Sequence, residues 1–418
     1  MNLDRIAELL DQRQRNHALP QAFYNDPEIL AFDLDAVFAA SWLFAGFEAE
    51  LPEPGSAMTM TAGRGSVIVL RDRDGQIRAF HNSCRHRGSE ILPEGCRQVS
   101  RLTCPYHQWT YGLDGGLLSA PRMPADFDRG SHGLAPVHVE TAAGTIYVCL
   151  AETPPSFAPF RAALESILAS HDLINAKVAV SLDVVERANW KLVMENAREC
   201  YHCGAGHPDL RISFPVSYFT TANDADRTQE FRSRMGSLGI LTGPEEGGWW
   251  QVERFPLNEG CVSISPDGQA VSRPPLCVTA GGDVGSVRWA LEPDTFCHAA
   301  GDYVLTFSAI PTGPEETLVR LKFLVHKDAV EGVDYDPARL VETWNLTNDQ
   351  DRILAERNQH GVNSHGYRPG PYSVENEGNV VRFANWYCDT ARAYIEARRA
   401  GAAPRLSVTE GGLRVAHS

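Results

Sequence analysis

The sequence predicts an α+β fold of two domains, and three observations lead there. At 418 residues the chain exceeds one ordinary domain, because single cores stop growing at about 250–300 residues. Between Pro54 and Leu150 the apolar residues fall in short alternating runs closed by glycine turns, which is the period of strands. Beyond the link Thr153-Pro154-Pro155, helical spacings and strand-like alternation are mixed, as in an antiparallel sheet flanked by helices. The expected division is a helical arm over 1–43 packed on the larger domain, a small all-β domain over 44–155 and a larger domain over 156–418.

In chain order, Leu3, Ile6, Leu9 and Leu10 recur at helical spacing, so residues 3–17 read as a helix. Pro20 and Phe23-Tyr24 then turn the chain into a second helical segment over 30–42. The runs 66–71 and 77–81 form a hairpin across Asp72-Arg73-Asp74-Gly75-Gln76, and 108–112 with 117–120 form another across Leu113-Asp114-Gly115-Gly116. An apolar strand over 144–150 closes the small domain. The larger domain should open with a helix over 160–170, a strand over 178–186 and a helix over 189–203. Residues 224–282 are turn-rich and give no clear pattern; 301–310 and 318–326 alternate as antiparallel strands, and 337–359 and 378–400 are closing helices.

The formal charge of −15 comes without a basic stripe, which argues against nucleic-acid binding and is compatible with a cationic substrate. No apolar run approaches membrane-spanning length, and the start MNLDRIAELLDQRQ is polar where a signal peptide is basic and then apolar. A cytoplasmic protein that avoids membranes is the expectation. The ten cysteines are too dispersed for a disulfide scaffold; Cys149, Cys261, Cys277, Cys297 and Cys388 read as core thiols.

The stretch from Asn82 to Tyr111 holds Cys84-x-His86 and Cys104-x-x-His107, so two thiolates and two imidazoles can converge from two loops. That donor set suits a tetrahedral zinc or a [2Fe-2S] cluster with both cysteines on one iron and both histidines on the other. Each half brings one Cys and one His, whereas structural zinc sites more often pair like ligands. The spacing and flanks, including Arg87-Gly88 and Pro105-Tyr106, resemble Rieske iron-sulfur domains at nearly every position. The resemblance implies a Rieske [2Fe-2S] cluster on Cys84, His86, Cys104 and His107.

A second polar set lies in NWKLVMENARECYHCGAGHPDL, residues 189–210. Glu195, Glu199 and His202 can share a helix face. His207 reaches them only if Gly204 and Gly206 break the helix, with Pro208 blocking its continuation. Two such histidines and one distant carboxylate would make a facial triad for mononuclear non-heme Fe(II); the bland alternative is a helix end with two surface histidines. Cys200 and Cys203 form a C-x-x-C without a thioredoxin-like context and read as packing residues.

Together the two sets resemble the α subunits of Rieske non-heme iron oxygenases, whose second site has the form (D/E)-x-x-H-x4-H, here Glu199, His202 and His207. The resemblance implies Asp351 as third iron ligand, because an acidic residue, Glu356, follows it by five positions as in the family; Asp349 lacks that offset. The segments 195–203, 324–336 and 348–373 are closer still to the branch that demethylates quaternary ammonium betaines, glycine betaine or proline betaine. In that family the cluster of one subunit serves the iron of its neighbour in a homotrimer. Glu199 would then be the catalytic bridge from His202 of one chain to His107 of the next.

The same resemblance implies O2 as co-substrate, hydroxylation of an N-methyl group and release of formaldehyde. Electrons would come from NAD(P)H through a separate flavin- and iron-sulfur-containing reductase, since no G-x-G-x-x-G follows a strand here. A quaternary ammonium needs aromatic faces, for which Trp249, Trp250, Phe255 and Trp289 are the candidates. An aromatic-ring-hydroxylating dioxygenase of the same fold and a non-enzymatic Rieske electron carrier are the alternatives.

Overall fold

The computed structural model describes residues 2–219, 225–278 and 282–401. Its arm is α1 (Leu3–Asp11), α2 (Ala22–Asn25) and α3 (Pro27–Asp33), continued by a π-helical turn over Leu34–Phe38. Helix α1 stops short of the expected residue 17, because apolar spacing ends at Leu10, buried with Ile6. Asn2 caps it by accepting from the Arg5 amide at 3.1 Å. The arm is clamped at Asp33, a fully buried carboxylate that accepts from Trp190 Nε1 at 2.9 Å and Tyr387 Oη at 2.7 Å and pairs with buried Lys191. Removing one partner of such a buried pair costs about 3–5 kcal/mol.

Ten strands follow: β1 (Leu43–Phe47), β2 (Ser56–Ala62), β3 (Gly65–Arg71), β4 (Ile77–His81), β5 (Gly95–Gln98), β6 (Leu102–Thr103), β7 (Thr110–Tyr111), β8 (Leu117–Ser119), β9 (Pro136–Ala142) and β10 (Thr145–Cys149). They form a sheet in the order β1-β10-β9-β4-β3-β2-β5 and a small sheet β6-β7-β8. The β3–β4 hairpin turns at Gly75, φ 80°, and β7–β8 at Gly115, φ 81°, both in the left-handed region that glycine favours. A Cβ on Gly115 would stand 2.4 Å from the Phe80 ring.

Then come α4 (Ala158–Ile167), β11 (Ala176–Glu186), α5 (Trp190–Ala197), α6 (Cys203–Gly206), α7 (Leu210–Ser213), α8 (Ala225–Ser237), β12 (Glu245–Gly247), β13 (Trp250–Phe255), β14 (Ser286–Leu291), β15 (Thr295–Ala299), β16 (Val304–Gly313), β17 (Glu316–His326), α9 (Pro337–Val362) and α10 (Gly378–Arg399). The strands form one antiparallel sheet ordered β11-β17-β16-β15-β14-β13-β12. Among the described residues, 224–282 thus hold one helix and two strands that the sequence pattern did not reveal.

The largest departure is at 189–203, expected as one helix. Helix α5 ends at Ala197. Arg198, 2% exposed, is drawn into the sheet, donating to the Leu291 carbonyl at 2.9 Å and the Glu292 carboxylate at 2.6 Å. The Glu199 side chain then accepts from the Tyr201 and His202 amides, competing with helical bonding. Gly204 and Gly206, expected as breakers, lie inside the helical turn α6.

Candidate metal centres

Two loop tips carry the first set: Cys84 and His86 after β4, Cys104 and His107 between β6 and β7. The Gly88 amide bonds the Cys84 carbonyl at 2.8 Å and the Gln108 amide bonds that of Cys104 at 3.1 Å. Gln108 has φ 61°, a strained value for a residue with a Cβ. Cys84 and Cys104 are 3% and 1% exposed, whereas His86 is exposed and His107 half-buried. Their Nδ1 atoms face each other at 3.1 Å, which turns both Nε2 edges outward. Trp109 stacks on His86 with centroids 4.9 Å apart. Burial raises the Cys84 thiol; burial also works on Cys104, but the Tyr106 and His107 amides and the facing Cys84 hold it below the ordinary value. Amides directed at sulfur are what a thiolate-held cluster requires.

The second set assembles around the broken helix. His202 caps the start of α6 and His207 its end, so one helical turn brings their Nε2 atoms to 3.0 Å. Asp351 Oδ1 lies 3.1 Å from His202 Nε2 and 3.0 Å from His207 Nε2. On α9 the buried stripe runs Trp344, Asn348, Ala355 and Gln359, and Asp351 falls on it, whereas the Asp349 side chain is 52% exposed. Glu199 Oε1 bonds His202 Nδ1 at 2.5 Å, and Gln350 Oε1 bonds His207 Nδ1 at 2.8 Å; each fixes the tautomer that leaves Nε2 free. Glu195, expected beside them, instead accepts from Tyr24 Oη at 2.8 Å in the arm.

Burial disfavours the charged form of His202, but the Asp351 and Glu199 carboxylates outweigh it and raise it to about 9. Burial likewise pushes Asp351 up, and the two imidazoles more than reverse this. Cys203 Sγ also lies within 4.8 Å of the two imidazoles. It is bonded to Cys200, however, so it offers no thiolate; the pair read from sequence as packing residues is a disulfide spanning His202.

These groups border a cavity of about 510 Å³. Its floor is the sheet, where register aligns Glu253, Arg288 and His298 in one row across β13, β14 and β15. Phe214, Tyr218, Phe219, Phe296 and Trp344 supply aromatic walls, and exposed Glu245, Glu246 and Glu375 stand at its mouth. The expected cage residues do not line it. Alternation turns Trp289 to the opposite face from Arg288, fully buried. Trp249 and Trp250 pack on Phe160 at 5.5 and 5.7 Å. Phe255 is fully buried behind the wall, 5.0 Å from Phe219.

Residues 41–141 match the family model described as the Rieske [2Fe-2S] domain, and residues 174–393 that of the ring hydroxylating alpha subunit (catalytic domain). The chain belongs to the Rieske oxygenase α subunits. The glycine betaine monooxygenase oxygenase subunit of Chromohalobacter salexigens is 43% identical over 98% of this chain and 92% of its own. That of Pseudomonas aeruginosa is 43% identical over 92% and 91%. Among solved structures, the quaternary ammonium Rieske monooxygenase CntA with γ-butyrobetaine superposes with TM-score 0.68 at 21% identity, covering 94% of this chain and 99% of that one. Naphthalene 1,2-dioxygenase from Rhodococcus sp. gives 0.66 at 18%, covering 94% and 98%; at these identities both show the fold alone.

As a Rieske oxygenase α subunit the protein is an enzyme with a [2Fe-2S] cluster and a non-heme iron, supplied with electrons by a separate reductase. The donor sets fit these groups: two buried thiols opposite two converging Nδ1 atoms, and two Nε2 atoms with one carboxylate oxygen. No described helix is long and apolar enough to cross a membrane. Sequence reasoning missed Arg288 and His298. Their signal was a charged or polar residue inside the apolar runs SVRWAL and TFCHA, where a buried cation demands a partner.

Proposed function

We propose that this α subunit hydroxylates an N-methyl group of a quaternary ammonium betaine, glycine betaine or proline betaine, leading to N-demethylation. The cavity carries the proposal: aromatic faces beside the histidine–aspartate cluster and three exposed carboxylates at the mouth. Aromatic faces attract a cation that has no N–H to donate, by about 0.5–2 kcal/mol each. The acids concentrate cations at the entrance, which does nothing for a neutral arene and so disfavours the ring-hydroxylating alternative. The relatives named for glycine betaine support the same reading.

Cys84, His86, Cys104 and His107 would hold the cluster, and His202, His207 and Asp351 the iron. When bound, these groups supply single electrons and O2 activation. Glu199 accepts the Nδ1 proton of His202 and Gln350 that of His207, so neither ring can turn its lone pair away. Over the whole reaction O2, two electrons and two protons convert N–CH3 to N–CH2OH and water. The N-hydroxymethyl cation then releases formaldehyde and a proton, and the electrons of the broken C–N bond stay on the tertiary amine.

The subunit would act in the cytoplasm as a homotrimer. His86 and His107 turn their Nε2 edges outward beside Tyr106, 55% exposed, and Tyr201 beside Glu199 is 62% exposed. These outward surfaces suit a Glu199 bridge to His107 of a neighbour, fed by a flavin and iron-sulfur reductase using NAD(P)H. The test is incubation with such a reductase, NADH and a panel of betaines and aromatic acids. Formaldehyde from a betaine is the expected product; a dihydroxylated arene with no formaldehyde would reverse the assignment. Light scattering on the purified protein checks the trimer.

A further inference from the structure

Three arginines are buried among the described residues: Arg198, Arg254 and Arg288. Arg198 bonds Glu292 at 2.6 Å and the Leu291 carbonyl at 2.9 Å, and Arg254 bonds the Val284 and Ile167 carbonyls, both at 2.9 Å. Arg288 differs. It is 7% exposed and lines the cavity, yet among the described residues its guanidinium makes no hydrogen bond. Its one ionic neighbour, Glu253 Oε1, stands 3.7 Å away, beyond hydrogen-bond range. A guanidinium that faces a cavity and meets no protein acceptor leaves its donors to whatever enters there.

Its cross-strand partner also carries a nitrogen that no protein group engages. His298 is 4% exposed, its Nδ1 is enclosed without a partner, and the ring borders the same cavity. Desolvation, and then the charge of Arg288, hold this imidazole neutral, so it retains one N–H to give. A planar five-donor fork beside a neutral N–H matches a carboxylate, which takes two parallel bonds from an arginine. Position agrees. The His298 ring lies 5.0 Å from that of Trp344. Trp344 precedes Asp351 on α9 by seven residues, roughly 10 Å along the axis. That interval leaves room for a molecule with an N-methyl at one end and a carboxylate a few bonds away, together with its contacts at both ends.

We propose that Arg288, supported by His298, is the carboxylate anchor of the substrate site, selecting zwitterionic betaines over quaternary ammonium alcohols or amides. This rests on the betaine reading above and adds the group that distinguishes a betaine from other quaternary ammonium ions. With the carboxylate held on the sheet, the cationic end is left to the aromatic walls near His202 and His207.

The test compares the betaine that wild type turns over best, among glycine betaine, proline betaine and carnitine, with the primary amide of the same compound, in which an uncharged group replaces the carboxylate and the quaternary ammonium is kept. Wild type should favour the carboxylate in kcat/KM by roughly 10- to 100-fold, the factor for a hydrogen bond to a charged group. Arg288→Gln should raise KM for the betaine by a similar factor and affect the amide much less, with the Rieske EPR signal and iron content showing that the variant folds. Arg288→Lys should recover part of the preference. If Arg288→Gln does not fold, the charge-balanced Arg288→Gln/Glu253→Gln carries the same comparison.

Wild-type parity between carboxylate and amide overturns the proposal without reference to any variant. So does Arg288→Gln with the wild-type preference intact, or with equal loss of both substrates while cluster and iron are retained. Wild type that releases formaldehyde from no quaternary ammonium defeats the functional reading itself, a result that none of the other outcomes resembles.

Discussion

Cys84, His86, Cys104 and His107 lie within the thirty residues from Asn82 to Tyr111 and meet through two loops, one from β4 to β5 and one between β6 and β7. His202 and Asp351 are 149 positions apart and meet only because α9 lays its buried stripe over the broken end of α5. The first set ends in outward imidazole edges; in the second, His207 is 1% exposed and the cavity surrounds what remains. The difference is what the proposed tasks would require. An electron relay must present an edge to its partner, whereas a site that attacks C–H bonds must shed water around its substrate.

If the two sites are separable, the largest effects come from removing one at a time. His202→Ala or His207→Ala should bring formaldehyde release to background while the Rieske EPR signal of the reduced protein keeps its shape and intensity. Cys84→Ser should do the reverse, losing the cluster signal but retaining iron. Loss of the cluster in a His202 variant would mean the sites are not independent.

Next comes the choice between neighbouring aspartates. Asp351→Asn should lower iron affinity by more than the roughly 10- to 100-fold typical of a residue behind a ligand. Asp349→Asn removes only an exposed contact to Arg352 at 3.5 Å, worth about 0–1 kcal/mol. Equal iron loss in both, measured by metal analysis after dialysis, would show that the α9 stripe does not select the ligand.

A smaller effect tests whether the sites communicate. Glu199→Gln keeps the shape and an oxygen for His202 Nδ1 but removes the charge that would join His202 to His107 of a neighbour. Cluster reoxidation, followed by stopped-flow absorbance with O2 and substrate, should slow by about 10- to 100-fold with iron content preserved. Wild-type rates at full iron occupancy would remove the bridge.

How legible each region was tracks the same contrast. The hairpins around Gly75 and Gly115 and the convergence of Cys84, His86, Cys104 and His107 could be read because strand period, turn glycines and metal-ligand spacing are all local signals. The helix break at Arg198 could not. It depends on a guanidinium finding Glu292 and a backbone carbonyl across the sheet, and no periodicity contains that information. Asp351 needed the family's spacing, although the stripe Trp344, Asn348, Ala355 already separates it from Asp349. The expected aromatics failed because composition does not say which face of a strand is turned to the cavity. Arg288 and Trp289 are adjacent in sequence and on opposite faces in space.

The last and smallest effect is in pH, where the two sites should again diverge. His107 is held below its ordinary value, first by desolvation and then by His86 and Arg87, so it is neutral above pH 7 and donates to a metal without losing a proton. In the metal-free protein His202 is raised to about 9, since Asp351 and Glu199 outweigh the burial that would lower it, and His207 is raised by Asp351 in the same way. For His202 the raised value means that the proton is bound throughout pH 6–8 and lost as pH climbs through about 9. Iron needs the Nε2 lone pair and must displace that proton, so affinity rises with pH by about tenfold per unit for each proton released and levels off above pH 9. Titrating metal-free protein with Fe(II) under argon at pH 6.5, 7.5 and 8.5 measures the slope, with proton release into weakly buffered solution as an independent count. Glu199→Gln, which leaves only Asp351 to hold the imidazolium, should flatten the curve and move its plateau to lower pH. A wild-type affinity independent of pH across this range would mean that His202 is already neutral before iron arrives, and that the two carboxylates orient the ring without charging it.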